Sequence, residues 1–228
     1  MRYAIEHGPA FATLDLFLDE GESIHAEPDA MLSMSSGIEI SAKIAGNADG
    51  GLLRGVKSMI AGERFFSAIF TAQDDAQELT LAPAAVGEIV ALELGETGDS
   101  IAGGAYLASA PEVRVELVYG GIKGWLAKKG FFLVHVSGAG LVFLAGHGAI
   151  RRRRLAADET FIIDNSFLVA FEDTVTYELV TAGQNLRATV MSGEGLINRY
   201  TGPGELIYQT RGAGRGASAL SAVVNAVT

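Results

Sequence analysis

One short apolar unit recurs three times in this chain, and that recurrence restricts the fold more than any single residue does. It reads GERFFSAIFTA over Gly62–Ala72, KGFFLVHVSGAGLVFLA over Lys129–Ala145 and GEGLINRYTGPGELIYQT over Gly193–Thr210. A longer stretch precedes two of the copies: GESIHAEPDAMLSMSSGIEI (Gly21–Ile40) aligns with DETFIIDNSFLVAFEDTVTY (Asp158–Tyr177). The alignment sets Glu22 over Glu159, Glu27 over Asp164 and Met34 over Phe171. A β-rich unit repeated in this way predicts similar sheet pieces stacked over a shared core.

Period-two alternation supports strands throughout. Val113, Val115, Leu117 and Tyr119 share one face of V-R-V-E-L-V-Y, and Ile38–Ser41 and Val175–Leu179 alternate likewise. Phe131–Val136 and Leu141–Ala145 are almost wholly apolar and flank S-G-A-G, which reads as a hairpin of two strands buried on both faces. With 29 glycines and five prolines in 228 residues, tight turns between short strands are expected. Helical signals are short, at Leu52–Ala61, Gly121–Lys129 and Ser218–Val227. The expected fold is all-β, a double-stranded β-helix-like or barrel-sandwich body over 1–211, with a Gly-rich tail at 212–228. Two related halves, about 1–100 and 105–211, share that body, and Gly95–Gly104 is the best boundary between them.

Composition narrows the partners. A net charge of −10 argues against general affinity for nucleic acid or anionic membranes over the whole surface. Zero cysteines exclude disulfides, thiolate zinc sites and a cysteine nucleophile. MRYAIEHGPAF lacks the apolar run of an export signal, and no stretch reaches about 18 uninterrupted apolar residues. A soluble, cytoplasmic protein is the expectation.

Candidate chemistry is sparse. Gly50–Phe66 resembles Gly120–Phe132: each enters on Gly-Gly, carries large apolar residues and cations, and exits into Phe-Phe. The residues singled out are Leu52, Leu53, Arg54 and Lys57 in the first, and Lys123, Trp125, Leu126, Lys128 and Lys129 in the second. From Gly120 to Arg154 there are seven basic residues and no acidic one. Such segregation suits a membrane surface or an acidic partner, and equally suits apolar plugs over the ends of the β body. Phe65, Phe66, Phe131 and Phe132 would line a pocket in a small-molecule-binding alternative. Arg151–Arg154 lie in a strand, so two arginines face each way and carboxylate pairing is expected over a one-sided phosphate patch. His7, His25, His135 and His147 are scattered without H-x-H or H-x-x-x-H spacing, so no metal and no cofactor are expected. No G-x-S-x-G elbow occurs, and G-A-G-R-G-A at Gly212–Ala217 has neither the second parallel strand nor the acidic residue of a dinucleotide site. Glu22, Glu27, Glu159 and Asp164 recur with the turn that carries them, which is how a turn requirement behaves.

The turn at Gly21–Glu27 and Asp158–Asp164, Gly50-Gly51-Leu52-Leu53 with Gly62–Phe66, and Tyr200–Gly204 together resemble one family. It is the altered-inheritance-of-mitochondria family, also called domain of unknown function 124, and the similarity runs from about Arg2 to Arg211. The resemblance implies an all-β body of the tryptophan RNA-binding attenuator protein superfamily and a homo-oligomer, with a trimer favoured. It also implies a link to the mitochondrial inner membrane for the fungal member, and no agreed biochemical role for prokaryotic ones. RNA binding follows only by fold-level analogy. The function expected is therefore non-enzymatic, an oligomeric scaffold at a membrane surface or a protein complex.

Overall fold

The structure, a computed structural model, describes residues 1–44, 66–95, 97–118, 133–180 and 197–212. A leading strand, β1 (Arg2–Glu6), precedes a series of six strands that occurs three times. The first series is β2 (Thr13–Leu18), β3 (Ser23–Ala26), β4 (Met31–Met34), β5 (Ile38–Ile44), β6 (Phe66–Ala72) and β7 (Gln77–Leu81). The second is β8 (Ile89–Leu94), β9 (Asp99–Ala102), β10 (Tyr106–Ser109), β11 (Arg114–Val118), β12 (Leu133–Ser137) and β13 (Gly140–Ala145). The third is β14 (Ile150–Leu155), β15 (Thr160–Asp164), β16 (Leu168–Glu172), β17 (Thr176–Val180), β18 (Ile197–Thr201) and β19 (Gly204–Gln209). A 3-10 turn at Asn165–Phe167 links β15 to β16.

Pairing repeats with the order. In every series the second, fifth and fourth strands form one antiparallel group: β3–β6–β5, β9–β12–β11 and β15–β18–β17. The third, sixth and first form another: β4–β7–β2, β10–β13–β8 and β16–β19–β14. Neighbouring series then join edge to edge through two seams, β3 with β10 and β9 with β16. The outcome is two six-stranded sheets, β5-β6-β3-β10-β13-β8 and β11-β12-β9-β16-β19-β14, beside a four-stranded β1-β2-β7-β4 and a three-stranded β15-β18-β17. The all-β expectation holds, and among the described residues each sheet is open instead of closing into a barrel.

A bulge marks the same place in every series. The register slips between Met31 and Ser33 on β4, between Tyr106 and Ala108 on β10, and between Leu168 and Ala170 on β16. One extra residue there bends the strand and fixes which neighbours its side chains meet. Met31, Tyr106 and Leu168 are thus equivalent, as are Leu32, Leu107 and Val169, and Met34, Ser109 and Phe171.

The S-G-A-G hairpin is corrected. β12 lies between β11 and β9, whereas β13 lies between β10 and β8, so the two strands never pair. Gly138 and Gly140 take φ of 101° and 139°, conformations open to glycine, and redirect the chain from one sheet into the next. Continuous apolarity here reports strands central to two different sheets. The three copies of the sequence unit correspond to β6, β12–β13 and β18–β19.

The core is shared across series. One cluster sets Leu14, Leu16, Ile24, Phe70 and Leu79 against Leu107 and Phe143 of the second series. Another joins Val136, Val142 and Leu144 to Val169 and Ile207 of the third. A last one joins Ala102 and Leu133 to Phe171, Tyr200 and Leu206. Each large side chain so buried is worth roughly 1.5–3 kcal/mol. Segments ahead of the first strands also touch: Gly87 bridges Gly148, and a Cβ at Gly87 would stand 2.1 Å from the Gly146 carbonyl oxygen.

Candidate functional site

The apolar-cationic candidates Leu52, Leu53, Arg54, Lys57, Lys123, Trp125, Leu126, Lys128 and Lys129 lie outside the described residues, as do Phe65, Phe131 and Phe132. Phe66 opens β6 by its backbone alone, and the three short helices expected from sequence also lie outside. Their flanks are described. Ile44 pairs with Phe66, Val118 with Leu133 and Val180 with Ile197, so segments 45–65, 119–132 and 181–196 each join the fourth strand of a series to its fifth. The two segments that resemble each other in sequence therefore occupy equivalent positions in the strand order.

The four arginines fill β14 opposite β19, and carboxylates meet three of them. Arg152 reaches Glu205 at 3.3 Å, Arg153 reaches Glu159 at 2.7 Å and Arg154 reaches Glu172 at 2.9 Å. The Arg153 guanidinium also lies 4.5 Å from the Phe161 ring centroid, and that of Arg151 lies 5.7 Å from Tyr208. Alternation along the strand sends successive arginines to different partners, as read from the sequence. These are exposed pairs of small individual worth.

The recurring glutamates behave as turn residues. The Asp19 N–H donates to Glu22 Oε2 at 3.0 Å, and the Ala156 N–H donates to Glu159 Oε2 at 2.9 Å. At Glu159 that backbone bond, then Arg153, holds the carboxyl below its usual range. At Glu22 the bond from the chain's N-terminal amine comes first and the Asp19 N–H second, with the same effect.

A polar cluster that sequence reasoning missed sits at the β9–β16 seam. His135 Nε2 on β12 meets Asp173 Oδ2 at 2.6 Å, and Ser100 Oγ on β9 donates to Asp173 Oδ1 at 3.3 Å. Gly98 packs so closely that a Cβ would lie 2.6 Å from the Val136 carbonyl oxygen and 2.8 Å from Asp173 Oδ2. Next to this group, burial first and then Glu172, Asp173 and Glu205 push the Asp99 carboxyl up to about 6. The carboxylate stands between the hydroxyl and the imidazole here. Nucleophile activation needs the imidazole on the hydroxyl, so this order fastens a seam and does not activate Ser100. The first seam has its own polar contact: the Tyr106 hydroxyl on β10 donates to the His25 carbonyl oxygen on β3 at 3.5 Å and also meets Ser109 Oγ of its own strand at 2.9 Å, and burial pushes that hydroxyl far up. Each cluster unites residues from distant strands, so no local spacing announces it. Among the described residues no group of three or more His, Asp or Glu is set to hold a metal, and no helix is long and apolar enough to cross a membrane.

Three copies of one six-strand series, sharing cores and joined by seams, define a repeat-built all-β chain whose polar clusters are fasteners. The chain belongs to the family described as mitochondrial biogenesis AIM24, whose family model matches residues 3–211. It is 30% identical over 216 residues to an uncharacterized Streptococcus pyogenes serotype M6 protein, covering 92% of this chain and 86% of that one. It also resembles the crystal structure of a Streptococcus pyogenes protein, with a TM-score of 0.81 and 26% identity over 97% of this chain and 99% of that one.

Proposed function

We propose that the protein is a non-enzymatic scaffold, assembled from several copies of the chain, that holds its cationic-apolar segments against an acidic surface. The observation that carries this reading is the equivalence of segments 45–65 and 119–132 in the repeated strand order. Two similar segments at matching positions in one chain, multiplied by assembly, favour multivalent contact: each further engagement is intramolecular and gains from effective concentration. Trp125 and Leu126 beside Lys123, Lys128 and Lys129 supply the pairing of apolar and basic side chains that an anionic membrane interface takes up. Family membership, with its mitochondrial biogenesis description, is compatible with a membrane-surface role. Three copies is the assembly that the family resemblance implies, and the cytoplasmic face is where such a chain would meet the surface.

The test replaces Trp125, Leu126, Lys128 and Lys129 with serine and measures co-sedimentation with anionic vesicles alongside thermal unfolding. Binding lost at unchanged Tm is the expected result. Binding unchanged with a lowered Tm overturns it and makes these residues plugs of the β body. Retention of a protein partner that the same substitutions release, with vesicles ignored throughout, moves the surface from lipid to protein.

A further inference from the structure

Among the described residues the chain makes the same seam twice and leaves both halves of a third one unpaired. In the first, Ala26 and His25 of β3 face Ala108 and Ser109 of β10; in the second, Ile101 and Ser100 of β9 face Ala170 and Phe171 of β16. The second strand of one series thus always pairs with the third strand of the next. β15, the second strand of the last series, ends the three-stranded sheet, and β4, the third strand of the first, ends the four-stranded one. Neither has a partner strand on that side among the described residues.

Burial shows what β4 lacks. At its four positions β10 holds Tyr106, Leu107, Ala108 and Ser109 at 2%, 0%, 0% and 0% exposure, and β16 holds Leu168, Val169, Ala170 and Phe171 at 3%, 0%, 1% and 4%. On β4, Met31, Leu32 and Met34 are 40%, 61% and 37% exposed, and Ser33 is exposed too. On β15, Ile162 is 54% exposed, whereas its equivalent on β3, His25, is 7% exposed. The shared bulge makes the comparison residue for residue. A second series of contacts has the same open ends: the Ala12 N–H donates to Gly87 O and the Glu88 N–H to Gly148 O, while Phe11, the residue equivalent to Gly87 and Gly148 in the first series, is 72% exposed.

We infer that β15 of one copy pairs antiparallel with β4 of a second copy, Ile163 opposite Ser33 and Ile162 opposite Met34, so that chains join head to tail through a third seam. The register follows from the two internal seams, and the occupant is specified by the edge itself, which is the one each series offers to its neighbour. Unpaired apolar edges invite strand addition, and a head-to-tail contact of this kind makes either a closed ring or an open array. This inference rests on the multi-copy scaffold reading and names the surface that builds it.

Because the chain has no cysteine, two engineered thiols can report the seam alone. Residues directly opposite in such a pair lie about 5.5 Å apart at Cα when hydrogen-bonded, within disulfide range. Met34→Cys and Ile162→Cys chains, both substituted at exposed sites, are mixed and oxidised. The expected result is a covalent two-chain species in the mixture that neither variant gives alone, and a ladder from the chain carrying both. Native mass spectrometry of Ile162→Glu, which sets an acidic side chain in the seam, should fall to the 23.8 kDa of one chain. A disulfide formed within one chain carrying both thiols overturns the inference, because the third seam then closes internally. No cross-link with the multi-copy mass intact overturns the seam and leaves the scaffold reading standing. No cross-link from a wild type that is itself monomeric overturns both.

Discussion

Asp99 stands on β9 with Glu172, Asp173 and Glu205 near it, and burial together with those charges lifts its carboxyl from 3.8 to about 6. A carboxyl raised on folding prefers to be neutral in the folded chain. Its cost is therefore absent below about 3.8, grows as pH climbs to about 6, and stays constant above that. Asp99→Asn should stabilise the protein by roughly 1 kcal/mol at about pH 7.5, after allowing for partial solvent screening, and by little at about pH 4. Paired denaturant titrations at the two pH values decide it, and an equal gain at both would remove titration as the cause. Residues differ in how far sequence exposes their role. Glu22 and Glu159 were legible because each accepts from an N–H three residues back, a local geometry that travels with the repeat. His135 and Asp173 were not, because the strand order that brings β12 beside β9 and the turn after β16 is a tertiary fact.

At the scale of the strand, the third member of each series is the informative one. β10 and β16 are covered on both edges and faces, and β4 has the same bulge with no strand on one edge among the described residues. Leu107 is fully buried, so Leu107→Ala should cost about 2–5 kcal/mol at every protein concentration. Leu32 is its exposed equivalent, and Leu32→Ala should cost well under about 1 kcal/mol in dilute protein, rising only where copies associate. Thermal melts across a dilution series read both, and a concentration-independent loss for Leu32→Ala would contradict the comparison. Strand existence was legible from alternation, as β11 shows with Val115 and Leu117 half-buried between exposed Arg114, Glu116 and Val118. Sheet membership was not. Ser137–Gly140 looks the same whether the chain folds back on itself or crosses into the next sheet, and only the partners of β12 and β13 distinguish the two.

For the molecule as a whole, the shared cores set the folding unit. Each cluster draws side chains from two neighbouring series, so none of the three can bury its apolar face alone. Residues 1–95 expressed by themselves should show no cooperative melt, because Leu14, Phe70 and Leu79 would lose Leu107 and Phe143. The intact chain should melt in a single calorimetric transition. A folded fragment, or separate transitions for separate series, would show that the repeats are stable independently. The covalent linkage of the three series has a last consequence. Where a seam is internal, its two strands sit on one polymer and their local molarity is set by the connecting chain. Diluting the protein leaves those two joints untouched and, if copies join through the remaining edge as inferred above, acts on that edge alone. On that inference, a cell that changes the abundance of this chain adjusts how many copies stand together without loosening any one of them.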